Sequence, residues 1–178
     1  TCALPISVGF CRRRGLPRLV KGDAERLPFG DGSFDAVVSL DTFEHLERDK
    51  VAMAEAFRVL RPGGTIVLNV PAFRWLWGPH DVALMHFRRY TRNEVRELLA
   101  STGFECRVVS YSVFLLFPVV VCIRALERLR RGRAEVRLPQ VGAPLNAVLT
   151  SLMQAEGRWI GPTSLPWGSS VVAVGRKP

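Results

Sequence analysis

Two histidines, an aspartate and two arginines lie within a ten-residue stretch from His80 to Arg89. His80 or His86 is a candidate proton acceptor, because imidazole titrates near neutral pH. Asp81 is placed to orient either ring, and Arg88 or Arg89 to hold an anionic ligand through charge-assisted hydrogen bonds. This pattern indicates proton removal from a bound anion. The alternative is a polar cluster that only closes a loop and caps the next helix.

A metal ion is not expected at this cluster. His80, Asp81 and His86 carry metal-binding groups, but nothing in their spacing fixes a ligand geometry. The four cysteines form no CxxC pair, and no secretory signal precedes them: Cys2, Cys11, Cys106 and Cys122. Neither a zinc site nor a disulfide framework is indicated, and a reducing cytoplasm fits.

The chain is strongly basic, with a formal charge of +9 at pH 7. Its arginines concentrate at 12–21, 88–92 and 124–137. Such a surface suits nucleic acid, anionic lipid or an anionic substrate, or it is simply solvated. Nucleic acid is disfavoured, because apart from Tyr90 no stacking aromatic residues are interleaved with the basic ones.

The elements that must position these residues alternate between strands and helices. With 178 residues, of which 48% are apolar, the chain suffices for one domain with a real core. Apolar runs predict strands at 18–21, 34–39, 65–70, 104–112 and 170–176. Their alternation with helices predicts an α/β domain with a mostly parallel sheet. The second run fits a strand buried on both faces, and the last two strands could pair as an antiparallel edge.

Polar signals predict where the helices begin. Residues 41–44 (DTFE) have the spacing of a capping box and predict one helical turn, and Asp49 is expected to cap the next helix. Residues 91–94 (TRNE) form a second capping box. Further helices are expected at 118–131 and 145–160, within a helical insertion at 113–160.

Three motifs stand in order in the first half of the chain: residues 22–29 (GDAERLPF), 33–38 (SFDAVV) and 58–64 (RVLRPGG). Together they resemble the middle motifs of class I S-adenosylmethionine-dependent methyltransferases, from about Val8 to the end of the chain. The resemblance implies an enzyme with a Rossmann-like α/β sheet that uses S-adenosylmethionine as methyl donor.

The resemblance also implies which residues bind the cofactor. Asp23 matches a carboxylate that accepts from the adenine amino group, and Ala24 matches a small residue whose backbone amide approaches the ring. Ser39, Leu40 and Asp41 follow the strand that passes beneath the methionine part. Ligands of open α/β sheets lie at these carboxyl ends of the strands. The alternative for Asp41 is a helix N-cap.

Class I methyltransferases keep acceptor determinants in later segments. Here residues 75–81 and 86–91 resemble a subgroup associated with bacterial cell-surface polysaccharide or polyprenyl-linked biosynthesis. Methyl transfer is an in-line displacement, so the enzyme positions the acceptor and, for a hydroxyl or activated carbon, removes a proton. His80 or His86 is then the base, and the residues expected to bind a small-molecule or lipid-linked acceptor are Asp81, Arg88, Arg89 and Tyr90.

Residues 113–131 join an apolar segment to arginines, which is the composition of an interfacial helix on anionic lipid. The alternative is a helix packed on its own domain or on a partner. The longest apolar run, 113–123, is shorter than the ~20 residues of a spanning helix and contains Pro118. We therefore expect a cytoplasmic protein with peripheral contact at the inner membrane face.

The start of the chain departs from the family pattern. Residues 1–6 (TCALPI) match the translation of a common sequencing adapter, so residues 1–7 are expected to be foreign or disordered, and the partial domain to span 8–178. The family's glycine-rich loop and ribose-binding acidic residue are not found before Asp23. The chain alone is therefore expected to be inactive and to bind cofactor poorly. The competing hypothesis is a binding or scaffold protein that kept the fold and lost the chemistry.

Overall fold

A four-stranded mixed sheet lies at the centre of the computed structural model, which describes residues 4–15, 18–129 and 141–178. The strand order is β1-β2-β4-β3. Strands β1 and β2 are parallel, and β4 is antiparallel to both of its neighbours. The bounds are Phe34–Leu40 for β1, Leu60–Pro71 for β2, Glu105–Ser112 for β3 and Ser170–Arg176 for β4. The expected α/β class and the antiparallel C-terminal pair are confirmed.

β1 forms one edge of this sheet. The expectation that it is buried on both faces is wrong, since Val38 and Leu40 are 62% and 61% exposed. The predicted strand at 18–21 is also wrong, because these residues form extended chain outside any strand. Arg18 and Lys21 leave that segment largely exposed, and a strand needs a hydrogen-bonded neighbour.

The Pro-Gly-Gly sequence at 62–64 lies inside β2 and does not precede it. The register slips there, from Phe34 opposite Leu60 to Ala36 opposite Thr65. Gly63 adopts φ of 78°, which favours glycine. A Cβ at Gly64 would lie 2.8 Å from the Arg61 carbonyl oxygen. The helix before β2 therefore passes directly into the strand through a glycine bulge.

Two helices cover one face of the sheet and close the core. They are α2, Asp49–Val59, and α4, Arg92–Ser101. Burial of each large apolar side chain contributes about 1.5–3 kcal/mol. The fully buried apolar side chains of the core include Met53, Leu60, Ile66, Leu68, Val95, Leu99 and Val171.

The capping predictions were right at one of three places. Thr91 and Glu94 cap α4 reciprocally, with Thr91 N donating to Glu94 Oε2 at 2.8 Å. The expected turn after β1 is a 3₁₀ turn, Phe43–His45, without a side-chain cap. Asp49 does not cap α2, because it lies one residue inside the helix and its carboxylate accepts from the Lys50 amide at 2.8 Å.

The remaining helices lie outside this core. They are α1, Leu4–Arg13; α3, Pro79–Ala83; α5, Phe117–Leu129; and α6, Ala143–Gly157. The predicted helices at 118–131 and 145–160 are confirmed as α5 and α6, although residues 130–140 lie outside the described part. α1 begins within residues 1–7, whose foreign origin stays a prediction. In the described part, every helix is too short or too polar to cross a membrane.

Candidate functional site

A cavity of about 390 Å³ opens at the carboxyl end of β1, beside the end of β2. The 3₁₀ turn, α3 and α5 contribute to its wall. Its polar lining includes Asp41, Glu44, His45, His80, His86 and Arg124. The position agrees with the rule that ligands of open α/β sheets bind at the strand ends.

Backbone hydrogen bonds hold the histidine-bearing loop over this strand end. The Phe87 amide donates to the Glu44 carbonyl at 2.7 Å, which joins the loop to the 3₁₀ turn. The Tyr90 amide donates to the Pro71 carbonyl at 2.9 Å, and the Phe73 amide donates back to Tyr90 at 2.9 Å. His86 is therefore fixed beside the 3₁₀ turn by main-chain contacts on both sides.

Asp81 is fully buried and organises the loop. Its carboxylate accepts from Arg89 Nε at 2.8 Å and Nη2 at 3.0 Å, and from the Gly78 amide at 2.9 Å. His86 Nδ1 lies 2.9 Å from Asp81 Oδ1. Burial alone would raise the pKa of Asp81, but the bonds and charge of Arg89, with the other donors, hold it below its usual value. Asp81 is thus an ionised anchor for the ring of His86.

The surroundings of His86 favour its neutral form. Burial lowers its pKa, and the nearby His45 adds to this effect, although the bond to Asp81 acts in the opposite direction. An ionised carboxylate only accepts, so Nδ1 carries the proton and Nε2 keeps a lone pair. The His45 ring packs edge-to-face on that of His86, with centroids 4.6 Å apart. His86 therefore has the tautomer needed to accept a proton or bind a cation.

Glu44 is the principal site residue that sequence reasoning missed. Its side chain is 1% exposed, and Oε2 has no hydrogen-bond partner within the described residues. The pKa of Glu44 is raised to about 7, mainly by burial; its own backbone amide and Arg89 lower it, and the charges of Asp41 and Asp81 raise it. The signal in the sequence was the position of Glu44-His45 just after a strand end.

Of the predicted cofactor residues at the end of β1, Asp41 lines the cavity. Asp41 adopts φ of 48°, its amide donates to the Asn69 carbonyl at 3.0 Å, and its Oδ1 accepts from Asn69 Nδ2 at 3.0 Å. Leu40 is exposed beside it, and Ser39 is half-buried. Two hydrogen bonds to Asn69 of β2 thus stabilise Asp41 in its left-handed conformation.

Asp23 and Ala24 lie in the turn before β1. The Asp23 carboxylate is exposed and accepts from the Glu25 amide at 2.9 Å. Ala24 is half-buried and packs against the core. The turn therefore presents a carboxylate to solvent while a small residue fixes it to the domain.

An ion pair on α2 holds the chain that follows this turn, a contact that sequence reasoning also missed. Arg58 Nη1 donates to the Phe29 carbonyl at 2.8 Å and Nη2 to that of Leu27 at 3.1 Å. Glu55 Oε2 accepts from Arg58 Nη2 and from the Leu27 amide, both at 2.8 Å. The bond from Arg58 lowers the pKa of Glu55. Glu55 and Arg58 of α2 thus hold the chain that follows the adenine-binding turn predicted from the sequence.

The predicted acceptor residues Arg88, Arg89 and Tyr90 are engaged inside the domain. Arg89 is buried, with its guanidinium on Asp81 and the Ala72 carbonyl. Arg88 Nη1 contacts Asp49 Oδ2 at 3.0 Å, and the Tyr90 hydroxyl donates to the same oxygen at 2.9 Å. Burial and the Asp49 charge raise the pKa of Tyr90. These contacts favour positioning roles, and acceptor binding by the three residues stays a prediction.

Comparison with known proteins gives one family. The model of the methyltransferase domain family matches residues 6–68. The malonyl-[acyl-carrier protein] O-methyltransferase of Geobacter sulfurreducens is 33% identical over 92% of this chain and 67% of its own length. The fatty-acid O-methyltransferase of Mycolicibacterium smegmatis is 48% identical over 32% of this chain and 22% of its own length. The chain thus spans between about a fifth and two thirds of the curated relatives it matches.

Solved structures agree on the fold. An S-adenosylmethionine-dependent methyltransferase from Thermotoga maritima has a TM-score of 0.58 and 21% identity, covering 99% of this chain and 76% of that one. The [4+2]-cyclase SpnF has a TM-score of 0.57 and 21% identity, covering 98% and 62%. One fold thus carries two kinds of named activity, so chemistry has to be argued from the site.

Proposed function

Because this chain belongs to the S-adenosylmethionine-dependent methyltransferase family, we propose that it is part of an enzyme that methylates a small-molecule or lipid-linked acceptor. The acceptor occupies the 390 Å³ cavity and loses a proton as it reacts. One observation carries this proposal: Asp41, from the predicted cofactor strand, lines the same cavity as Glu44 and His86.

The residues of the chain fit this cofactor. When bound, S-adenosylmethionine supplies an electrophilic methyl group on a sulfonium, and it also carries an ammonium and an adenine amino group. Asp23 and Asp41 are exposed carboxylates, which complement these donors and positive charges. We assign Asp23 and Ala24 to the adenine, and Ser39, Leu40 and Asp41 to the methionine part.

His86 is the proposed proton acceptor. Asp81 fixes its ring through Nδ1, which leaves Nε2 for the acceptor. Glu44 is a second candidate, because a carboxyl with a pKa of about 7 accepts a proton effectively at neutral pH. His80 lines the same cavity, but the Asp81 carboxylate does not orient its ring. We therefore rank His80 below His86 and Glu44 as a proton acceptor.

Three features support a lipid-type acceptor. The relatives above are named for acyl-carrier and fatty-acid substrates. Val120 of α5 lines the cavity beside Arg124, so an apolar chain and an anionic group can both be accommodated. α5 also exposes Val119, Ile123 and Leu126. We propose that α5 contacts the inner membrane face of a cytoplasmic protein, and its exposed apolar side chains support the contact.

The decisive experiment uses the complete product of the gene that encodes this chain. Titration with S-adenosylmethionine in a calorimeter should give saturable binding, and a labelled methyl group should pass to a long-chain fatty acid or a polyprenyl phosphate. His86→Gln should lower kcat about 10²–10⁴-fold while leaving cofactor affinity unchanged. Glu105→Gln, an exposed change on β3, is the matched control. Absence of cofactor binding would favour the scaffold hypothesis.

Membrane contact has a separate test. The protein should float with vesicles of anionic phosphatidylglycerol and stay in solution with neutral phosphatidylcholine. Ile123→Glu places a charge on the exposed face of α5 and should abolish flotation. Equal recovery of the unchanged protein and of Ile123→Glu with the anionic vesicles would exclude α5 as the contact surface.

A further inference from the structure

We propose that Glu44, His45 and His86 form a binding site for one divalent transition-metal ion. Each side chain offers one ligand atom, and these atoms all lie within 4.8 Å of one another. The sequence led us to expect no metal ion at His80, Asp81 and His86. The fold instead brings His86 beside the 3₁₀ turn, forty residues earlier in the chain.

The distances suit a small cation. A metal bound at about 2.0–2.2 Å by nitrogen and oxygen ligands separates them by roughly 3.4 Å in a tetrahedral arrangement. Each pair of ligand atoms lies within 4.8 Å, so closing the site shortens a separation by at most about 1.4 Å. His45 is exposed and able to rotate, whereas Glu44 and His86 are held by the surrounding packing.

The surroundings of His86 match those of a metal ligand. A metal-binding imidazole commonly donates its other ring nitrogen to a carboxylate, which fixes the ring and strengthens it as a ligand. Asp81 occupies this place, 2.9 Å from Nδ1. Asp81 is itself held by Arg89 and by the Gly78 amide. Nε2 is therefore presented toward the cluster by a rigid support.

Glu44 supplies the second independent observation. A buried polar oxygen without a partner is costly, and native proteins rarely leave one unsatisfied. Glu44 Oε2 is buried without a hydrogen bond inside the described part of the chain, and Glu44 lines the same cavity as His45 and His86. A bound cation would satisfy this oxygen. The same side chain contributes the negative charge that a divalent ion requires.

The charges around the cavity favour a cation. The negative charges of Asp41 and Asp81 act on Glu44, and Arg89 is paired with Asp81. Arg124, the other arginine of the cavity, is paired with Glu127 at 2.9 Å. A divalent ion would therefore meet a net negative environment.

The donor set selects the type of metal. Two imidazoles and one carboxylate suit Mn²⁺, Fe²⁺, Co²⁺, Ni²⁺ or Zn²⁺, whereas Mg²⁺ and Ca²⁺ prefer oxygen ligands. Three protein ligands leave coordination positions open toward the cavity. With the ion bound, the lone pair of His86 Nε2 is used for coordination, so an acceptor oxygen bound at an open position would release its proton to water and not to His86. This last role rests on the proposed function, whereas binding of the ion does not.

The test is a titration of the 178-residue chain with Co²⁺, followed by the visible absorption that appears when cobalt is bound by nitrogen and oxygen ligands. We expect one ion per chain. Glu44→Gln and His45→Gln should each weaken binding more than about 100-fold, because loss of a ligand costs more than the roughly 10–100-fold that follows loss of an outer partner. His45 is exposed, so its replacement should leave the fold intact, as circular dichroism would check.

The matched control is His80→Gln. It replaces the one histidine of the sequence that is not a proposed ligand, although this residue lines the same cavity. Its cobalt affinity should equal that of the parent. The proposal is overturned if no absorption appears, if Glu44→Gln and His45→Gln bind as the parent does, or if His80→Gln is equally impaired. Intact cobalt binding without any S-adenosylmethionine binding by the complete gene product would instead count against the proposed function alone.

Discussion

Arg89 and Asp81 form a buried ion pair in which Nε donates to Oδ1 at 2.8 Å and Nη2 to Oδ2 at 3.0 Å. The same Oδ1 lies 2.9 Å from His86 Nδ1, so one carboxylate neutralises the arginine and orients the histidine. Such a two-point contact fixes direction as well as distance. The ring of His86 is therefore positioned by an ion pair that is itself buried.

Replacement of Asp81 by asparagine should strongly destabilise the protein. Removing one partner leaves the Arg89 charge buried without compensation, which costs about 3–5 kcal/mol. Urea unfolding followed by circular dichroism measures this loss. Arg74→Gln, which breaks the exposed Arg74–Glu94 pair, should cost no more than about 1 kcal/mol. Similar losses in both variants would contradict the assigned importance of burial.

The contribution of Glu55 should depend on pH. Its bond with Arg58 lowers the pKa of Glu55 below the ordinary 4.5, so the native state binds the proton less readily than the unfolded chain. Its stabilisation is therefore present above pH 4.5 and is lost as the pH falls through the native pKa. Unfolding of the parent and of Glu55→Gln at pH 7 and pH 3 compares the two conditions. The difference in free energy of unfolding between the parent and Glu55→Gln should be smaller at pH 3 than at pH 7. An equal difference at both pH values would count against the ion pair.

Two glycines should respond oppositely to replacement by alanine. At Gly168 a Cβ would lie 2.0 Å from the Ser112 carbonyl oxygen, so Gly168→Ala should destabilise by more than about 2 kcal/mol. At Gly157, the last residue of α6, a Cβ meets no atom within 4 Å. Gly157→Ala should stabilise by about 0.4–1 kcal/mol. Thermal unfolding of both variants shows whether each change raises or lowers stability. Destabilisation by Gly157→Ala would contradict the prediction for that residue.

Loss of the α4 cap should lower stability by a moderate amount. The Thr91 hydroxyl accepts from the Glu94 amide at 3.3 Å, and its removal in Thr91→Ala should cost about 0.5–2 kcal/mol. Ser101→Ala removes a hydroxyl from the other end of the helix and should stay within about 0.5 kcal/mol. Denaturant midpoints of the two variants give the comparison. An equal effect would mean that the capping box adds nothing specific.

Local signals determined much of the fold. The alternation of apolar runs identified β2, β3 and β4, and the TRNE sequence located the start of α4, because these patterns act between near neighbours. The three methyltransferase motifs identified the family in the same way. The error at 18–21 has a physical cause, since a strand exists only with a hydrogen-bonded neighbour, and a short apolar run says nothing about one.

The sequence by itself determined the family, the α/β class and the residues at the ends of the strands. Only the tertiary structure decided which of them meet. It placed His86 beside Glu44 and His45, directed Asp81 to His86, and brought Arg58 to the chain after Asp23. These contacts depend on long-range packing and on the burial of charge. Burial decides whether a carboxylate such as Glu44 is solvated or is held without a partner beside two imidazoles.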